Sequence, residues 1–200
     1  MTIRNPLLIF LAILPVAAAL RAQSAPEATP GALYGTLLTV MKGGPTLGFA
    51  GRLKILDPEL RRDLNLPLMT RLVVGPPWRS LPQDERRRLV DAFSDYSIAV
   101  YASRFKDFSG EVFTVAPGTT RLDSGDVIVH TTLVPKGDDP VQLDYLMRRD
   151  GEAWRIIDVF LSGTISELAT RRSEYSTVLR AGGAEALVGL LRQKTAELSR

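Results

Sequence analysis

Apolar residues recur at helical spacing near both ends of the chain and alternate with polar residues in the middle. Before residue 106 the spacing predicts four helices, of which the second opens at Asp57-Pro58 and the fourth at a Ser80–Gln83 capping box. Their predicted ranges are 31–41, 57–64, 67–74 and 80–105. The apolar stripe of the fourth helix consists of Leu89, Phe93, Tyr96 and Val100.

The middle of the chain is rich in β-branched and aromatic residues, which favours strands. Turn residues, among them Ala116-Pro117-Gly118 and the hairpin pair Asp150-Gly151, divide it into segments. The predicted strands are 111–115, 127–134, 141–147 and 154–161. Their short connections favour an antiparallel meander.

Helical spacing returns after the last predicted strand. Thr164 and Glu167 form a second capping box, and Gly182-Gly183 predicts a break before a final helix. The order of elements predicts an α+β fold, in which a four-stranded antiparallel curved sheet is backed by helices on one face.

The N-terminal segment is predicted to lie outside this fold. Arg4 precedes an uncharged apolar stretch from Asn5 to Leu20, which is shorter than a typical membrane span and ends in small residues. Residues 1–22 therefore form a predicted signal peptide, with cleavage after Ala19 or Ala22; an uncleaved anchor is the alternative. Residues 23–32 are predicted to be a flexible leader, and 33–200 a single domain, helical over 33–105 and 164–198 with the sheet over 111–161.

Composition excludes several kinds of chemistry. The chain has no cysteine and one histidine, which excludes disulfides, thiolate catalysis and metal sites built from cysteine or several histidines. We therefore expect no cofactor and no metal. The net charge is +3, and removal of the signal peptide lowers it to +1. Charge is also uneven, at +3 over 52–104, −4 over 105–160 and +2 over 161–200, so the helical side is basic and the sheet acidic.

Two motifs that could indicate phosphate or nucleic-acid binding have simpler interpretations. The glycine run 43–48 lacks the Gly-Lys-Ser/Thr ending of a phosphate loop and follows a helix, so it is interpreted as a linker. Arg86-Arg87-Arg88 has acidic neighbours and is interpreted as a solvated helix face, with no nucleic acid as partner.

A catalytic alternative is left open by three residues on neighbouring predicted strands, Asp144, Tyr145 and Asp158. Asp158 beside Tyr145 could act as a general base in an apolar site, as in isomerases or dehydratases, although a partly buried Asp bonded to backbone donors or to an Arg is the commoner case. His130 is isolated in the sequence from any candidate ligand or nucleophile, and we expect it to be structural. We expect no catalytic residues.

Large apolar side chains predicted to face inward could either fill a core or line a cavity. A filled core would suit a non-catalytic adaptor, whereas a cavity would suit a lipid tail, which is held chiefly by apolar burial. The residues predicted to bind lipid are Phe93, Tyr96, Val100, Leu143, Tyr145, Val159, Leu168, Tyr175 and Leu179.

Several ordered segments resemble the MlaC (toluene-tolerance, Ttg-type) family of periplasmic lipid-binding proteins. The resemblance covers about 33–198 and is carried by Arg71-Leu-Val-Val-Gly-Pro-Pro-Trp-Arg79, the segment 84–96, Trp154-Arg-Ile-Ile-Asp-Val159, Ser162-Gly-Thr-Ile-Ser166 and Leu179-Arg-Ala-Gly-Gly183. The segment from Gly163 to Tyr175 is one residue longer than in the usual MlaC pattern. In this respect it is similar to the hopanoid-associated branch of the family, HpnM.

The resemblance implies an NTF2-like cone with a small helical subdomain and an apolar cavity for lipid tails. It further implies a periplasmic, monomeric carrier that shuttles phospholipid or hopanoid between an inner-membrane lipid transporter complex and an outer-membrane lipoprotein-type complex.

Overall fold

The computed structural model describes residues 25–199 and contains five helices, a short 3-10 helix and one five-stranded sheet. The predicted signal peptide and its cleavage sites lie outside the described residues. The helices are α1 Ala28–Lys42, α2 Gly44–Asp63, α3 Leu66–Val74, the 3-10 helix Pro76–Ser80, α4 Gln83–Arg104 and α5 Glu167–Leu198. The strands are β1 Val112–Arg121, β2 Val127–Val134, β3 Val141–Asp150, β4 Ala153–Leu161 and β5 Ile165–Ser166.

The sheet is an antiparallel meander in the order β1-β2-β3-β4-β5, which confirms the predicted connectivity and the α+β class. The predicted count of four strands was one too low. The additional strand, β5, pairs with the end of β4. It is only two residues long, which is too short for an alternation of apolar and polar residues to be recognised in the sequence. Irregular register within the β1–β2 and β3–β4 pairs bends these strands.

Three predicted boundaries were wrong because local signals were overridden by packing. Pro58 does not begin a helix but lies inside α2, between Leu56 and Leu60, which are both fully buried. Gly44 begins α2, but Gly48, with a φ of +59°, leaves helical geometry, so the glycine run is a helical turn followed by a kink instead of a linker without helix. The helix α1 begins at Ala28, within the predicted leader.

Two predicted capping boxes were also wrong. Ser80 lies in the 3-10 helix, where its hydroxyl donates to the Pro77 carbonyl, and Pro82 takes the N-cap position of α4. The N-cap of α5 is Ser166 and not Thr164, because the Ser166 hydroxyl accepts from the Ala169 amide at 2.9 Å.

The predicted turn at Ala116-Pro117-Gly118 lies within β1, at its register shift.

The break predicted at Gly182-Gly183 is confirmed, since both residues leave helical geometry and Gly183 has a φ of +66°. One continuous group of buried side chains extends from Leu33 in α1 to Leu191 in α5 and joins the helices to the concave side of the sheet.

The β1–β2 connection is clamped to the sheet by a two-point ion pair. Arg148 donates from Nε and Nη2 to the two oxygens of Asp126, at 2.8 and 2.6 Å, and Ser124 donates to the same carboxylate. Arg148 in particular holds the pKa of Asp126 below its usual value.

We expect Asp126→Asn to lower the free energy of unfolding by about 1 kcal/mol at pH 7, because half-exposed Arg148 limits the value of the pair. A carboxylate with a depressed folded pKa stabilises the fold above its unfolded pKa of about 4 and loses this effect as the pH falls further. The difference in stability that urea denaturation shows at pH 7 should therefore shrink as the pH falls below about 4. Asp123→Asn, at an exposed residue, is the control. An equal loss of stability there would contradict a stabilising role of the Arg148–Asp126 ion pair.

Candidate functional site

A cavity of about 90 Å³ lies between the sheet and the helices α4 and α5. Its wall is mostly apolar, with a few charged side chains. The residues that line it are Leu64, Met69, Phe93, Ser97, Val100, Tyr101, Arg104, Phe105, Leu143, Tyr145, Asp158, Val159, Leu161, Glu167, Leu168 and Arg171.

The helix α4 supplies one continuous face of this wall. Its lining residues follow helical spacing through Phe93, Ser97, Val100, Tyr101 and Arg104. Phe93 is almost fully buried, whereas Arg104, at the last turn of the helix, is exposed. The cavity wall therefore reaches the protein surface at the C-terminal end of α4.

The sheet supplies the opposite side through alternate residues of two paired strands. Tyr145 pairs with Val159 and Leu143 with Leu161, so all four side chains project from the same sheet face. This alternation is the reason that the sequence pattern could identify several of them.

Two tyrosines, Tyr101 of α4 and Tyr145 of β3, add hydroxyl groups to the cavity wall without providing a charge. Burial raises the pKa of both Tyr101 and Tyr145, so neither hydroxyl ionises near neutral pH. The ring of Tyr34 lies edge-on to Tyr145, at 5.9 Å between centroids, and its hydroxyl hydrogen-bonds with Thr131. Because Thr131 donates onward to the Leu143 carbonyl, this network ties α1 to the sheet.

Arg171 is one of the charged side chains in the mostly apolar wall. Its guanidinium lies 5.1 Å from the Tyr96 ring centroid, 3.5 Å from the Tyr175 hydroxyl and 3.7 Å from the Glu167 carboxylate. Burial alone lowers the pKa of Arg171, but these neighbours more than offset it and the pKa is raised. The side chain therefore remains charged, and its ion pair with Glu167 is too long for a strong charged hydrogen bond.

Asp158 also lines the cavity, but its carboxylate is occupied by local hydrogen bonds. One oxygen accepts from the amides of Val159 and Leu168, and the other accepts from the Ser166 hydroxyl at 2.5 Å. Such contacts hold the first turn of α5 against β4. Within the described residues Asp158 has no hydrogen bond with Tyr145, so the acid–base pair considered from the sequence is not assembled.

His130 is less isolated than the sequence indicated. Its Nδ1 lies 3.0 Å from Asp144 and its Nε2 2.9 Å from the Thr120 hydroxyl. Gln142 donates to the same Asp144 oxygen. None of these residues lines the cavity, so the group connects β1, β2 and β3 away from the site.

Six of the nine residues predicted to bind lipid line the cavity: Phe93, Val100, Leu143, Tyr145, Val159 and Leu168. Tyr96 and Tyr175 lie behind the wall, where they contact Arg171, and Leu179 lines a separate groove with Val74 and Arg172. Whether any of the nine binds lipid stays a prediction.

The lining residues that the sequence analysis missed are mainly polar or aromatic members of α4 and the first turn of α5. Ser97, Tyr101 and Arg104 share the Phe93 face, but a search for a purely apolar stripe excludes serine and arginine. Helical spacing from Phe93 alone would have found them. Arg171 lies at helical spacing between Leu168 and Tyr175, so the same reasoning places it on the inward face of α5, whereas Arg172 is exposed.

Within residues 25–199, no group of three or more acidic, histidine or cysteine side chains could hold a metal ion. Over the same range, no helix is long and apolar enough to cross a membrane.

The structure thus defines an α+β domain in which a bent antiparallel meander and two helices enclose a mostly apolar cavity with a partly buried arginine in its wall. The family model described as MlaC protein matches residues 33–193, and the chain therefore belongs to the MlaC family. The HpnM branch is not distinguished by this match.

A solved structure has the same fold. It is a phospholipid-binding protein from Ralstonia solanacearum in complex with a phospholipid, and it is 24% identical to this chain. The match has a TM-score of 0.75 and covers 88% of this chain and 100% of that chain.

Proposed function

We propose that this protein is a periplasmic, non-enzymatic lipid carrier that holds apolar tails between its sheet and the helices α4 and α5. The observation that carries the proposal is the cavity, whose wall joins apolar side chains to a charged, incompletely paired arginine. Apolar burial contributes about 0.8 kcal/mol per methylene, so tails can be held with few polar contacts. Membership of the MlaC family and the lipid bound by the Ralstonia solanacearum protein support this function.

The head group would lie beside Arg104 and Arg171. Arg104 is exposed, lines the cavity and has no acidic side chain within ion-pair distance in the described part of the chain. Arg171 holds its charge next to the apolar wall. Two guanidinium groups so placed favour a phosphate over the neutral hydroxyls of a hopanoid, and a phospholipid is therefore the ligand that we propose first. A hopanoid, as the HpnM-like segment suggests, is the second candidate.

Loading requires the cavity to widen. Its present volume of about 90 Å³ is well below the 300–1,000 Å³ typical of pockets for drug-sized ligands. The helices α4 and α5 would have to move against the sheet, and transfer between an inner-membrane transporter complex and an outer-membrane lipoprotein-type complex would follow the difference in lipid affinity. The carrier would act as a monomer.

Mass spectrometry of an organic extract of the purified protein tests the proposal. We expect about one lipid per protein, and the same spectrum distinguishes phospholipid from hopanoid. A protein that retains no lipid and takes none from phospholipid vesicles would contradict the carrier and favour the adaptor with a filled core. Enzymatic turnover of the retained lipid would instead favour the isomerase-type alternative.

A further inference from the structure

A group of arginines without acidic partners surrounds two surface grooves on the helical side, outside the cavity. The grooves hold about 340 and 420 Å³ and meet at Pro76 and Arg172. Four arginines line them, and a fifth lies over the ring of Trp78. This arginine face consists of Arg71, Arg79, Arg86, Arg172 and Arg180.

Three other arginines of the helical side are paired with acidic side chains, unlike those of the arginine face. Arg61, Arg62 and Arg88 each contact two acidic side chains, at distances up to 2.8 Å. By contrast, no arginine of the face has a carboxylate within 4 Å among residues 25–199. The arginine face therefore gathers five positive side chains without acidic partners around the two grooves.

The local backbone holds the face in place. Gly75 has a φ of +70°, and a Cβ there would lie 3.1 Å from Nε of Arg172, so the guanidinium packs directly over the turn between α3 and the 3-10 helix. Arg86 donates to the Arg79 carbonyl at 3.0 Å, while its Nε is buried without a hydrogen-bond partner. That donor is therefore unsatisfied within the described residues.

Apolar groups lie between the arginines. Leu72 is 39% exposed, Pro76 and Pro77 are exposed, and Trp78 is half-buried with Arg86 stacked 5.7 Å from its ring centroid. Arginine suits phosphate because its planar fork donates two parallel hydrogen bonds. Tryptophan with nearby apolar side chains is typical of proteins that lie at the boundary between lipid head groups and acyl chains.

We propose that the arginine face docks on the surface of an anionic phospholipid bilayer. Arginines would contact lipid phosphates, and Leu72 and Trp78 would enter the head-group layer. Arg171 and Arg172 are consecutive in α5, one in the cavity wall and the other on the face, so docking would bring the cavity-lining helix next to the membrane. The proposal does not depend on which molecule fills the cavity.

Vesicle flotation of the purified protein tests the docking. One set of vesicles contains phosphatidylcholine with one third phosphatidylglycerol, and the other contains phosphatidylcholine alone. The face variant is R79Q/R172Q/R180Q. The control variant, R121Q/R192Q/K54Q, removes the same charge from exposed residues outside the face.

We expect binding to the anionic vesicles that weakens with salt, because exposed charges are screened. Each basic residue near an anionic surface contributes about fivefold, so the face variant should bind about a hundredfold more weakly. The control variant should lose much less. Brominated lipids should quench the fluorescence of the wild type but not of Trp78→Phe, since Trp154 is buried.

Three results would overturn the proposal. Equal losses in the face and control variants would indicate non-specific charge attraction. Equal binding to neutral vesicles would indicate apolar insertion, and binding to poly-glutamate without binding to anionic vesicles would indicate an acidic protein as partner. Lipid extracted from the face variant should remain at the wild-type amount, so failure of docking and failure of the carrier function are distinguishable.

Discussion

Gly44→Ala should lower the free energy of unfolding by about 3 kcal/mol or more, although alanine normally favours a helix. A Cβ at this position would lie 1.7 Å from the Lys106 carbonyl oxygen and 2.8 Å from the carbonyl carbon. Both are backbone atoms, which cannot move aside as the end of a flexible side chain can. The gain in helix propensity from glycine to alanine is only about 1 kcal/mol, so the steric conflict decides the sign.

The close approach is built into the start of α2. Arg52, which is 8% exposed, donates from Nη1 to the Gly44 carbonyl at 3.1 Å and from Nε to the Ala102 carbonyl at 2.7 Å. Its guanidinium therefore ties the first turn of α2 to the last turn of α4. Moving α2 away to accommodate a methyl group would lengthen these bonds and leave part of a buried charge unsatisfied.

Thermal and urea denaturation should show the effect as a loss of about 6–12 °C in melting temperature, at 2–4 °C per kcal/mol for a chain of this size. Gly35→Ala is the matched control, because it lies in α1 and a Cβ there meets nothing within 4 Å. That variant should be as stable as the wild type or slightly more stable. Equal stability of the two alanine variants would mean that Gly44 does not lie against Lys106.

The sequence predicted the sheet more accurately than the helical half because strand alternation and turn residues are local. The predicted β2 has the same bounds as the structure, and Gly182-Gly183 breaks α5 as expected. The helix start predicted at Asp57-Pro58 was wrong. Pro58 cannot donate a backbone hydrogen bond, but burial of Leu56 and Leu60 keeps the chain helical on both sides of it. Local signals carry no information about such long-range packing.

The same limit applies to the cavity. Apolar periodicity identified Phe93 and Val100 because a cavity wall and a core have the same pattern. It also selected Leu179, which lies further along α5 and lines a separate groove, since periodicity does not show where along a helix the cavity ends. Arg171 was missed because only apolar residues were counted, although it lies at helical spacing between Leu168 and Tyr175.

Val159→Phe should reduce the amount of lipid that co-purifies with the protein at least tenfold, if the cavity is the lipid site. Val159 lines the cavity from β4, directly opposite Tyr145 in the strand pair. A benzyl group there would occupy much of a space of only about 90 Å³ and oppose the widening that loading requires. Each methylene that can no longer be buried removes about 0.8 kcal/mol, so exclusion of a few accounts for the expected loss.

Val112→Phe is the matched control, because the same substitution then lies on β1 at a residue that is 53% exposed and outside the cavity. Lipid should be quantified by mass spectrometry relative to protein, and urea denaturation should confirm that both variants fold. Overpacking is expected to cost about 1–3 kcal/mol for Val159→Phe, which a folded domain of this size can tolerate.

Leu143→Ala distinguishes lipid loss caused by filling the cavity from lipid loss caused by general damage to the fold. It removes volume from the same wall, so it should destabilise the protein without expelling the lipid, and the enlarged space should accept tails at least as well. Loss of lipid in Leu143→Ala and Val159→Phe alike would indicate general damage to the fold. Full lipid occupancy in Val159→Phe would place the ligand elsewhere and remove the main support for the carrier function.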